Sequence, residues 1–154
     1  MKKDCVILVA EKDNHHFELM KRSLLRAGIS NQILRLADGR QAIDFLSDIT
    51  QKPHGQDADR RYILFLDVDL PEIGGVEVLE KMKENERLRN IPVVVLTTED
   101  DPQTIDRCYD FGCSTYVVKP AGDEDFQESI KKIGYFLSAV EIASVNQLGI
   151  KTDE

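Results

Sequence analysis

No stretch of this chain approaches the roughly 20 apolar residues that a bilayer-spanning helix needs. The start, Met1-Lys2-Lys3-Asp4-Cys5, runs straight into an apolar strand and leaves no room for a charged region, an apolar segment and a cleavage site. A cytoplasmic location is therefore expected. A basic excess is also missing. The 154 residues carry 20 Lys and Arg against 28 Asp and Glu, a net charge of -8, whereas nucleic-acid binding needs a basic footprint. The three cysteines, Cys5, Cys108 and Cys113, are odd in number and form no CxxC pair, which predicts reduced, buried thiols. No cysteine stands at zinc-ligand spacing, His15 and His16 are neighbours that do not face one another on a helix, and His54 sits in a polar loop. Walker and Rossmann glycine signatures, internal repeats and low-complexity tracts are absent. Disorder is excluded by 42% hydrophobic against 31% charged residues, a composition that suits one globular domain.

What the chain does have is a set of short, unalternating apolar runs, each followed by a polar residue. Val6-Ile7-Leu8-Val9-Ala10 ends at Glu11, and Tyr62-Ile63-Leu64-Phe65-Leu66 ends at Asp67. Pro92-Val93-Val94-Val95-Leu96 ends at Thr97, and Tyr116-Val117-Val118 ends at Lys119. Such runs predict strands buried on both faces, hence a parallel sheet covered by helices. Ligands of such sheets bind beyond the carboxyl ends of the strands. An acid, a second acid, a hydroxyl and an ammonium are thus expected along one sheet edge.

The elements alternate. Strands are predicted over 4–10, 33–36, 62–66, 91–96 and 114–118. Helices follow each of them. The first, 14–27, carries Phe17, Met20, Leu24 and Leu25 at helical spacing and stops at Gly28. The second has Ala42, Ile43, Phe45, Leu46 and Ile49 as its apolar side, the third Val76, Val78, Leu79 and Met82. Pro102 opens the fourth, which ends near Phe111-Gly112. The fifth starts after Gly122, and its seam of Phe126, Ile130, Ile133, Leu137 and Val140 persists through Ala143 and Leu148. Residues 51–61 form a polar surface loop containing Pro53, His54 and Gly55. Five strand–helix units predict a doubly wound α/β domain over 1–140, with a helical extension and tail over 141–154.

Over about residues 4 to 137 the chain resembles a response-regulator receiver domain. Three segments in order carry the resemblance: Asp67-Val68-Asp69-Leu70-Pro71 with Gly75, Val94-Val95-Leu96-Thr97-Thr98, and Tyr116-Val117-Val118-Lys119-Pro120. The long loop and the Pro-Val-Val-Val-Leu-Thr-Thr stretch are most similar to stand-alone receivers that serve bacterial phytochromes. The resemblance implies a flavodoxin-like, five-stranded parallel sheet of order 2-1-3-4-5. It implies that Asp67 accepts a phosphoryl group from a sensor histidine kinase, forming an acyl phosphate from an already ionised carboxylate. Thr97 and Lys119 would contact phosphoryl oxygens. Mg²⁺ would be held by Glu11, Asp67 and the Asp69 backbone carbonyl, with Asp13 as a further candidate. Tyr116 would be the switch aromatic, and a cis peptide would precede Pro120.

One position departs from that pattern. The family places two acids directly after the first strand, and here they align with Glu11 and Lys12. An ammonium has no lone pair with which to ligate a hard cation. It also repels one, by about 4 kcal/mol per pair of like unit charges at 4 Å and an effective dielectric of 20. Three outcomes are open: Lys12 swings to solvent while Glu11 and Asp13 serve the metal, Lys12 takes the metal's place among Glu11, Asp67 and Asp69, or the site is dead.

Two functions from different classes are expected. One is a single-domain response regulator, not an enzyme, that signals through altered protein contacts, since helix five and its extension use the remaining residues. The other is a phosphorylation-independent pseudo-receiver that serves as an interaction module. A flavodoxin-like electron carrier is disfavoured, because Glu11-Lys12-Asp13-Asn14-His15 is no phosphate loop. Homodimerisation is expected through the side from strand four to helix five, with Ile142, Val145 and Leu148 exposed on a monomer. The output partner is not legible.

Overall fold

The computed structural model describes residues 1–51 and 60–145. Pro53, His54 and Gly55 of the long loop, and the tail after Val145 with Leu148, lie outside the described residues. Five strands, β1 (Cys5–Ala10), β2 (Ile33–Leu36), β3 (Arg61–Leu66), β4 (Val93–Thr97) and β5 (Thr115–Val118), alternate with five helices. These are α1 (Asn14–Arg26), α2 (Gly39–Thr50), α3 (Gly75–Lys83), α4 (Pro102–Asp110) and α5 (Asp123–Ser138). All pairings are parallel, in the order β2-β1-β3-β4-β5. This is the flavodoxin-like arrangement, and the expectation from the sequence holds.

Two apolar layers flank the sheet because successive strand residues point to opposite faces. Val6, Leu8, Tyr62, Leu64, Val93 and Val95 meet Ala42 and Leu46 of α2, Val78 and Leu79 of α3, and Cys108 of α4. On the other face Ile7, Val9, Ile63, Phe65 and Leu96 meet Met20 and Leu24 of α1 and Phe126 and Ile130 of α5. Both layers being apolar, the three central strands show no polar alternation. All three cysteines are free and buried. The edge strand β5 is different: Thr115 and Val118 are exposed, so only part of that run is covered.

Two expectations are corrected. No peptide bond among the described residues is cis, so the cis bond before Pro120 is absent. Trans is the lower-energy isomer of an X–Pro bond, and the turn into α5 is made by Gly122 in the left-handed region, φ 88°. Among the described residues α5 ends at Ser138 and 141–145 are not helical, where a helical extension was expected to begin. The next residues turn back under the sheet, where Arg61 donates from Nε to the Ile142 carbonyl (2.7 Å) and pairs with Ser144 in an isolated antiparallel bridge. Asn90 donates to the Ser144 carbonyl at 3.2 Å. Ile142 and Val145 are buried rather than exposed, one in each apolar layer. A continued helix would have carried both past the end of the sheet into water, whereas burying an aliphatic side chain is worth about 1.5–3 kcal/mol.

Ile142→Ala is expected to lower unfolding free energy by about 2 kcal/mol, measured by urea denaturation.

Candidate functional site

Strand-end backbone bonds set the polar residues side by side. Glu11 N–H donates to the Leu36 carbonyl (3.0 Å), Asp67 N–H to the Ala10 carbonyl (3.1 Å) and Lys119 N–H to the Thr97 carbonyl (2.7 Å). Each residue thus continues the sheet ladder by one step and turns its side chain into the space above the strand ends. Gly75 sets the floor. Its N–H donates to the Val68 carbonyl at 2.9 Å, and a Cβ there would overlap the Asp67 carbonyl and lie 2.6 Å from Val68 Cα. Only glycine lets α3 begin against the loop that carries Asp67.

Glu11, Asp67, Thr97 and Lys119, all predicted from the sequence, are brought together and buried. Lys119 Nζ donates to Glu11 Oε1 (2.6 Å) and to Asp67 Oδ2 (2.8 Å). Its third contact is His16 Nδ1 at 3.0 Å. Lysine only donates, so in this contact His16 accepts at Nδ1. Thr97 Oγ1 donates to Asp67 Oδ1 (2.7 Å), which also accepts from the Asp69 N–H (2.9 Å). The Asp13 N–H donates to Glu11 Oε2 at 3.1 Å. Every oxygen of the two buried carboxylates therefore accepts from the protein, as buried charges require. Oδ1 of Asp67 takes two such bonds and Oδ2 one, which leaves Oδ2 a lone pair free to act as a nucleophile.

The remaining candidates lie at the rim. Asp13 caps α1, its carboxylate accepting from the N–H groups of His15 (2.8 Å) and His16 (3.2 Å), and these bonds hold its pKa below the ordinary value. Asp69 points outward and pairs with Lys12 Nζ at 2.7 Å, the two side chains being 69% and 46% exposed. Tyr116 donates from its hydroxyl to the Glu99 carbonyl (2.7 Å), while its ring leans on the core beside α4. Burial, then neighbouring acidic groups, push its pKa up to about 12.

Glu11 and Asp67 bring two carboxylates to the pocket, each bonded to protein donors, while the Asp13 carboxylate caps α1 and that of Asp69 pairs with Lys12. Among the described residues no three His, Cys, Asp or Glu side chains form a metal-holding group.

Two participants escaped the sequence reading. His16 reaches Lys119 only because α1 is phased by its Asp13 cap, and its ring also lies 5.3 Å from Phe126. The other is Arg35 of β2, which donates to the carbonyls of Glu11 (3.1 Å) and Lys12 (2.8 Å) and to Asn14 Oδ1 (3.3 Å). An arginine in a short edge strand gives no sequence signal of such a clamp.

Lys119→Met strands two buried carboxylates, and removal of one partner from a buried ion pair costs about 3–5 kcal/mol. A loss of that size is expected in urea denaturation at pH 7.

Residues 7–131 match the family model described as the response regulator receiver domain. The probable methanogenesis regulatory protein FilR2 of Methanothrix harundinacea is 37% identical over 128 residues, covering 83% of this chain and 80% of that protein. Response regulator Rcp1 of Synechocystis is 30% identical over 131 residues, covering 85% of this chain and 87% of its own length. The solved structure of a phosphorylated cyanobacterial phytochrome response regulator, RcpA, superposes with a TM-score of 0.78 at 28% identity, over 90% of this chain and 98% of that one. A Mn²⁺-bound form of Rcp1 gives 0.79 at 29% identity, over 90% and 99%. The fold, the pocket above its strand ends and the match across both apolar layers agree: the chain belongs to the response regulator receiver domains and is similar to phytochrome response regulators.

Proposed function

We propose that the chain acts as a single-domain response regulator in the cytoplasm and takes a phosphoryl group on Asp67 from a sensor histidine kinase, of phytochrome type. Asp67 Oδ2 attacks phosphorus of the phosphohistidine. The N–P bond breaks, its electron pair stays on the imidazole nitrogen, and an acyl phosphate forms on Asp67. The observation that carries this reading is the buried Asp67 carboxylate, gripped by Thr97 at one oxygen and Lys119 at the other. Neither donor needs to travel far to meet phosphoryl oxygens attached to that group, which bring about two negative charges. Thr97 also accepts from the Glu99 N–H at 3.4 Å, and Glu99 accepts from Tyr116. A Thr97 drawn to phosphate therefore pulls on the residue that holds Tyr116, which supports a switch role for Tyr116. Output passes to a partner protein through altered contacts. No nucleic acid is involved, given the net charge of -8. Among the described residues no helix is long and apolar enough to cross a membrane.

A second reading, a pseudo-receiver that serves as an interaction module without phosphorylation, is favoured by Lys12 alone. The two readings part in a mass measurement. After incubation with a small phosphodonor, the first expects one added phosphoryl on the wild type and none on Asp67→Ala. No addition to the wild type, rescued by Lys12→Asp, would establish the second.

Pairing of two copies through the side from β4 to α5 is supported by exposed Val118, Tyr135 and Phe136. Phe136→Glu is expected to convert a dimer seen by light scattering into a monomer, with thermal stability at low concentration unchanged.

A further inference from the structure

We propose that Lys12 is a tethered cation that serves the phosphorylation pocket in place of a divalent metal, so that phosphoryl transfer to Asp67 needs no Mg²⁺. The inference rests on the reading of Asp67 as the acceptor.

The first ground is position. Lys12 follows Glu11 directly, and its ammonium lies 2.7 Å from Asp69 Oδ2, two residues past Asp67. The ammonium thus stands beside the loop that carries Asp67.

The second ground is anchorage. Arg35 holds the carbonyls of Glu11 and Lys12, and Asp13 caps α1 just beyond. The backbone at Lys12 is fixed, while its side chain is a flexible stem with a half-exposed head. Such a head can exchange a single carboxylate on Asp69 for the phosphoryl oxygens on Asp67. It moves from a charge of one toward a charge of about two.

Charge balance is the third. Glu11 and Asp67 bond the Lys119 ammonium inside, and at the rim a second ammonium, Lys12, pairs with Asp69. A lysine in place of an acid changes local charge by two units, as much as one Mg²⁺ brings. A Mg²⁺ added beside Lys12 would meet a like charge. Phosphoryl transfer is mostly positioning and charge stabilisation, and an ammonium supplies both without lone pairs.

The test uses the full chain and its Lys12→Asp variant with phosphoramidate as donor, in EDTA or in Mg²⁺, read by intact mass. The wild type is expected to gain one phosphoryl in EDTA at a rate within about twofold of that in Mg²⁺, and Lys12→Asp to be at least about tenfold slower in EDTA. Calorimetric titration with Mg²⁺ alone is expected to show saturable binding for Lys12→Asp and none for the wild type. Mg²⁺ binding to the wild type as tight as to the variant overturns the proposal, as does wild-type modification slowed about tenfold or more by EDTA. Modification of Lys12→Asp alone overturns the proposal together with the role of Asp67 in the wild type, whereas a wild type modified only in Mg²⁺ overturns the proposal and leaves that role standing. Failure of both proteins to be modified overturns the role of Asp67 and the proposal together.

Discussion

Everything at the functional edge of this sheet depends on one buried ammonium. Lys119 closes the gap between the ends of β1, β3 and β5 by bonding Glu11 and Asp67 at once. Each of the three charges alone would be costly to bury, and the cluster persists only because each member satisfies the others. The order β2-β1-β3-β4-β5 makes this possible. It puts the strands ending in Glu11 and Asp67 next to each other, and the strand ending in Thr97 between Asp67 and Lys119. The site is therefore a consequence of topology before it is a consequence of side-chain packing.

The fold was legible where one physical signal dominated. Runs such as Val6–Ala10 and Tyr62–Leu66 are apolar at every position because helices cover both faces, and the structure buries every residue of both. The same rule overstates β5, an edge strand with both ends exposed. It failed beyond Val140. Ile142 and Val145 stand three residues apart, which is helical spacing, yet one enters each apolar layer. A segment that crosses beneath a sheet from face to face mimics the period of a helix, and only the Arg61 and Asn90 anchors distinguish the two.

The pocket was legible for a related reason. Its central residues are strand ends, fixed by a register that apolar runs reveal. What was not legible hangs on helix phase or on long side chains. His16 depends on how Asp13 starts α1, and Arg35 on a guanidinium reaching from β2 to two carbonyls. The geometry meets none of the three outcomes open for Lys12 in full: its half-exposed ammonium pairs with the Asp69 carboxylate at the rim, while Asp67 inside is bonded by Thr97, Lys119 and the Asp69 N–H.

That distinction matters for how a phosphoryl group would be felt elsewhere. Asp67 shares Oδ1 between Thr97 and the Asp69 N–H, so a group added to Asp67 acts on both neighbours. Through Thr97 the disturbance reaches the Glu99 amide, and through the Glu99 carbonyl the Tyr116 hydroxyl on the β5 side. Through Asp69 it reaches Lys12 and the β1–α1 loop, which Arg35 ties to β2 at the opposite edge of the sheet. With Lys12 as its rim cation the chain has, beside the Thr97–Tyr116 route, a second route outward that runs through hydrogen bonds to Asp69 and Lys12 and then along the β1–α1 backbone. A freely exchanging metal ion could not provide one, because its movements leave the backbone where it was.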